Sequence, residues 1–218
     1  LSATADVPDL PPAPRPVACI SEAQLGAIAG ALAGAERPLV IPGGALWTQE
    51  DADRLAAFAE SWGLPVAVPF RRQDYMDNRH PSYAGDLGVG MNTRMGEALR
   101  EADLILSLGS RLGDTLTAGY TLMEPKAQGR RIVHVYPDPD EIGHLWRADP
   151  GIAACPRAVL AALSRAPAPR RGWEGEPHRR LGQPVYRSHR LRTESEFPKP
   201  LTETSDRLRT YRLGAVER

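Results

Sequence analysis

The chain has 218 residues, 27 Lys+Arg against 27 Asp+Glu, and a formal net charge of zero. Nothing in that overall balance points to nucleic acid or to a membrane surface. No apolar run is long enough to span a bilayer. Two cysteines, Cys19 and Cys155, make neither a disulfide framework nor a zinc site, and are expected as reduced thiols of a cytoplasmic protein.

The neutral total hides two unlike halves. Residues 1–164 carry 14 basic and 20 acidic side chains, a net of −6; residues 165–218 carry 13 and 7, a net of +6. The expected division is a Pro-rich linker over 1–19, a folded domain over 20–164 and a basic, disordered tail over 165–218.

In chain order, Ser21 and Gln24 have the spacing of a capping box, with Ile20 and Leu25 placed for a hydrophobic staple. Leu25, Ile28, Ala29 and Leu32 recur at helical spacing, so a helix with one apolar face should run to about Gly34. The apolar run Pro38–Ile41 reads as a strand buried on both faces. Thr48 with Asp51 opens a second helix, whose inner face is Leu55, Phe58, Ala59 and Trp62 and whose stop is Gly63. Residues 64–70 form the next strand. A long polar loop is expected from Arg71 to Met91. Asn92 then caps a third helix carrying Met95, Ala98 and Leu99. Residues 103–109 and 130–138 read as strands; Asp138, Pro139 and Glu141 fit a helix start. A short strand at 152–155 and a helix opened by Pro156 complete the pattern. Strands alternating with helices at this spacing predict an α/β domain with a parallel sheet covered on both sides.

In open α/β sheets ligands bind beyond the carboxyl ends of the strands. The residues there are Gly43, Gly44, Gly109, Arg111 and Asp138. Glycines would let a phosphate reach backbone N–H groups, Arg111 could pair with it, and Asp138 could accept from a ribose hydroxyl. Gly43-Gly44-Ala45 is not Gly-x-Gly-x-x-Gly, however, and no Walker lysine comes after it. The plainer reading is that the glycines turn strand into helix and that Asp138 is a cap. The five histidines (His80, His134, His144, His178 and His189) show no metal spacing. His134, inside a strand, is expected to be a hydrogen-bonded structural residue. No Gly-x-Ser-x-Gly elbow supports a hydrolase triad. The pairs Arg71-Arg72 and Arg130-Arg131 are expected on the solvated surface.

Taken together, "RPLVIPGGALW", "FAESWGLPVAVPFRRQDYMDNRHPSYAGDLGVGMN", "EADLILSLGSRLGD" and "RIVHVYPDPDEIG" resemble the central domain of thiamine diphosphate-dependent enzymes, most closely the acetolactate synthase-like large subunits. The resemblance covers roughly residues 20–164. It implies a Rossmann-like, three-layer fold of the DHS-like NAD/FAD-binding type, with about six parallel strands. It also implies a parent enzyme that makes or breaks carbon–carbon bonds beside the carbonyl of a 2-oxo acid, using thiamine diphosphate and Mg2+. Flanking thiamine-binding domains are its partners, and a homo-oligomer is expected. The cofactor-holding Gly-Asp-Gly and Asn pair of the family are not in this chain: Gly85-Asp86 precedes Leu87, Gly113-Asp114 precedes Thr115, and Asn78 and Asn92 are not adjacent. Some members bind FAD or ADP in this domain through Arg-Phe-Asp-Asp-Arg. Here the segment is Arg111-Leu112-Gly113-Asp114-Thr115, without the second arginine, and Pro156 stands near an expected aspartate. The resemblance therefore implies a non-catalytic scaffold with FAD and ADP disfavoured, present as a fragment. A stand-alone nucleotide-binding module is the alternative. The tail has 12 Arg and one Lys, as a shifted reading frame of a GC-rich gene would give.

Overall fold

A computed structural model describes residue 11, residues 17–123 and residues 129–168. The expected disordered tail and most of the Pro-rich linker lie outside the described residues.

The elements are α1 (Glu22–Gly34), β1 (Pro38–Pro42), α2 (Gln49–Trp62), β2 (Val66–Pro69), β3 (Tyr83–Leu87), α3 (Thr93–Glu101), β4 (Leu104–Leu108), β5 (Arg131–Tyr136), β6 (Gly151–Ala153) and α4 (Pro156–Leu163). Single 3-10 turns cover Gln73–Tyr75 and Pro139–Glu141. All strand pairs are parallel, in the order β3-β2-β1-β4-β5-β6. This is the doubly wound order, in which the chain starts at the centre, winds outward, returns, and winds out the other way.

Strand alternation sorts the core into two layers. Val40, Val66, Val68, Leu104, Leu106, Leu108, Val133, Val135 and Ile152 face α1, α2 and α4, meeting Ile28, Leu32, Leu55, Phe58, Trp62, Val159, Leu160 and Leu163. The residues between them (Leu39, Ile41, Ala67, Ile105 and Ile132) face α3 and the segment after β4, meeting Met95, Leu99, Leu112, Leu116 and Met123. Because both faces are covered, β1 and β4 are buried at every position, which is why they read as unbroken apolar runs.

The helix boundaries obey their local chemistry. Both expected capping boxes form, Ser21 with Gln24 and Thr48 with Asp51. Gly63 ends α2 in the left-handed conformation, φ 65°. Asn92 caps α3 by accepting from Arg94 N. Two expectations change. The Arg71–Met91 loop contains β3, the outermost strand beside β2. The helix expected at Asp138 is only a 3-10 turn, in which Asp138 accepts from Asp140 N.

Candidate functional site

The sheet order reverses between β1 and β4, the point at which an open α/β sheet offers a crevice to ligands. Gly43-Gly44 comes directly after β1 and Gly109-Ser110 directly after β4. These two turns touch backbone to backbone. Gly43 N donates to Leu108 O at 2.9 Å, and Pro42 bridges to Gly109. A Cβ on Gly43 would sit 2.6 Å from Ser110 Cα; one on Gly109 would sit 2.7 Å from Gly43 O and 2.8 Å from Pro156 Cγ. Gly109 also has φ +88°, a conformation that side-chain-bearing residues avoid.

The outward carbonyls of the first turn are taken as well. Trp47 Nε1 donates to Gly43 O at 2.9 Å. Arg72 Nε and the Tyr75 hydroxyl both donate to Gly44 O, at 2.8 and 2.9 Å. The Trp47 and Tyr75 rings stack at 4.8 Å with 17° between planes, and the Arg72 guanidinium lies 5.6 Å from the Tyr75 ring centre. Burial pushes the Tyr75 phenol above its ordinary pKa, so it stays a donor at neutral pH. Arg72, expected on the solvated surface, is instead half-buried in this plug. Arg130 departs from the surface reading too: it is half-buried and donates to the carbonyls of Ala102 and Arg100.

Arg111 and Asp138 belong to a neighbouring group. Arg111 Nε lies 3.1 Å from Glu141 Oε2. The hydrogen bond and charge of that carboxylate raise the guanidinium's pKa further. Asp138 caps the turn that carries Glu141. Beneath them His134 is buried, with Nε2 3.0 Å from Ser110 O, and Ser107 Oγ donates to the same oxygen at 2.7 Å. An accepting carbonyl assigns the ring proton to Nε2. Nδ1 has no hydrogen-bond partner among the described residues. Burial therefore lowers the imidazole pKa, partly offset by that carbonyl and by Glu141.

An open groove of about 620 Å³ lies on the α3 side, between the loop after β3 (Gly88–Asn92), the start of α3 and the turn Asp114–Gly119. It is separate from the five residues singled out in the sequence, none of which lines it. Spacing could not reveal it, because one wall comes after a strand that reads as loop.

Six large apolar side chains are exposed among the described residues, Val17 before α1 and five in segments that follow strands. Leu46, Phe70, Val89, Tyr120 and Leu145 stand in the segments leaving β1, β2, β3, β4 and β5 respectively. No group of three His, Cys, Asp or Glu among the described residues is placed to hold a metal. No helix among them is long and apolar enough to cross a membrane. These donors do not fit a magnesium–diphosphate site, which needs several converging oxygens.

The order of strands, the covered faces and the closed switch point define a doubly wound α/β domain of the nucleotide-fold class. Residues 25–163 match the family described as "Thiamine pyrophosphate enzyme, central domain", and the chain belongs to that family. It is 30% identical over 144 residues to a sulfoacetaldehyde acetyltransferase of Alcaligenes xylosoxydans xylosoxydans, which covers 66% of this chain and 24% of that protein. It is 29% identical to the acetolactate synthase large subunit of Corynebacterium glutamicum (70% and 24% covered) and 31% identical to the glyoxylate carboligase of Escherichia coli O157:H7 (59% and 21% covered). The chain thus spans about a quarter of the length of these relatives. In the family's multidomain enzymes this domain is flanked by others.

Proposed function

We propose that this chain is the non-catalytic scaffold domain of a thiamine diphosphate-dependent carboligase or decarboxylase acting on 2-oxo acids. The observation that carries the reading is the closed switch point. There the turns after β1 and β4 are in backbone contact at Gly43 and Ser110, and the carbonyls of Gly43 and Gly44 are already taken by Trp47, Arg72 and Tyr75. The exposed Leu46, Phe70 and Val89, in the turns that leave β1, β2 and β3, support use of that edge as a face for a flanking domain. Thiamine diphosphate and Mg2+ would be held by the flanking domains, because no converging set of oxygen donors stands among the described residues. The test is turnover: the purified chain with pyruvate, thiamine diphosphate and magnesium is expected to release no carbon dioxide and form no new carbon–carbon bond. Turnover by this chain alone overturns the reading.

The groove beside α3 favours one second reading, a nucleotide module. Its volume suits an adenine nucleotide, and the Asn92-capped helix start turns backbone N–H groups to one wall. Calorimetry with ADP and FAD decides it: heat of binding that Gly96→Trp abolishes supports the module, and no heat at millimolar nucleotide removes it.

A further inference from the structure

The chain's two cysteines, remote in sequence, lie on backbone segments that are hydrogen-bonded to each other. Cys155 is the residue between β6 and α4, at the N-cap position of that helix. Its N–H donates to Ala18 O at 3.0 Å. Ala18 is joined by the next peptide bond to Cys19. Standard geometry puts the Cα of Cys19 about 2.8 Å from that oxygen and the Cα of Cys155 about 1.5 Å from its own nitrogen. The two Cα atoms are therefore at most about 7.3 Å apart, and any bend along that path brings them closer to the roughly 4.4–6.8 Å over which disulfides form.

Neither sulfur is committed elsewhere. Both are free thiols, Cys19 exposed and Cys155 half-buried. Cys155 makes no side-chain cap bond. Cys19 Sγ has only a long contact to Val17 O, 3.6 Å, which a turn about χ1 releases.

We propose that Cys19 and Cys155 are a reversible redox latch, closed by thiol–disulfide exchange with a low-molecular-weight disulfide such as oxidised glutathione. The exposed Cys19 thiolate attacks one sulfur of the small disulfide, whose other half leaves as a thiolate. The Cys155 thiolate then attacks Cys19 Sγ in the mixed disulfide, and the second half leaves. Two protein thiols are oxidised by two electrons, one small disulfide is reduced to two thiols, and the two protein protons go to the departing thiolates. The closed latch ties the approach to α1 to the start of α4 and encloses nearly the whole domain in one covalent loop. Its bearing on a flanking domain rests on the scaffold reading; its chemistry does not.

The experiment uses the full chain. It is incubated with oxidised glutathione, the remaining thiols are alkylated, and the protein is measured by intact mass and by peptide mapping without reduction. The expected result is a monomer lighter by two hydrogens, with neither cysteine alkylated, a cross-link joining the Cys19 and Cys155 peptides, and reversal by dithiothreitol. In Cys155→Ser, glutathione should instead stay on Cys19. Wild-type protein that keeps glutathione on Cys19 while Cys155 is alkylated overturns the latch, as does a cross-link found only between two chains.

Discussion

Gly43 is glycine because another backbone occupies the place of its side chain. A methyl group would meet Ser110 Cα and N at 2.6 and 2.7 Å, and neither atom belongs to a flexible group that could swing aside. Gly43→Ala is expected to cost about 1–3 kcal/mol, read as a lower denaturation midpoint in urea. An unchanged midpoint would mean that the two turns are not in contact. His134 sets a pH dependence. Its folded pKa is depressed by burial, whereas the unfolded imidazole takes a proton near its ordinary value of 6.5. The unfolded state therefore binds more protons in acid. Stability is full above that value and falls as pH drops towards the folded pKa, by at most about 1.4 kcal/mol per pH unit. His134→Gln should flatten the stability profile below about pH 6.5; a profile as steep as wild type would place the dependence on other groups.

At the scale of elements, one buried carboxylate cross-links α2 and α4 beside their apolar contact. Asp51, 2% exposed, accepts from Thr48 N and Oγ1 and lies 2.5 Å from Arg157 Nε of α4. Burial alone would raise its pKa; the hydrogen bonds from Thr48 and Arg157, with the charge of Arg157, outweigh it, and the net shift is downward. The stability this supplies is present above the unfolded value, 3.8, and is lost as pH falls through the folded one. Asp51→Ala removes the cap and the cross-link together and should cost about 2–4 kcal/mol at neutral pH. Asp51→Asn should cost less. Equal stability of all three proteins by urea denaturation would show that the junction does not hold the helices.

The elements that were legible in the sequence have their information nearby. Thr48 and Asp51 form a box within one turn, and Ile105 alternates with Leu104 and Leu106 in a strand that needs both faces apolar. β3 was illegible because Tyr83-Ala84-Gly85-Asp86-Leu87 has no β-branched residue; it is a strand because β2 offers it a free edge. The plug was illegible for a different reason. Arg72 and Tyr75 reach Gly44 across 28 and 31 positions, and no local spacing encodes that. The glycines were found, but the backbone that faces them was not.

At the scale of the molecule, the core among the described residues reaches just into the basic half. The last helix to join it is α4, and Ala166 is the last residue packed against it among those described. We propose that residues 20–164 are the folding unit. A chain ending at residue 168 should unfold cooperatively with the same midpoint as the full chain, by calorimetry. A midpoint several degrees lower would show that later residues stabilise the domain.

Ala18 and the start of α4 meet at the carboxyl edge of the sheet, and α4 then descends towards the other edge. Its eight residues carry the chain about 12 Å. The domain is therefore threaded in series, received at one rim and released near the opposite one. In a longer enzyme it would act as a strut. A segment that precedes Ala18 would approach at the carboxyl rim, and one that follows α4 would start from the far end of that helix.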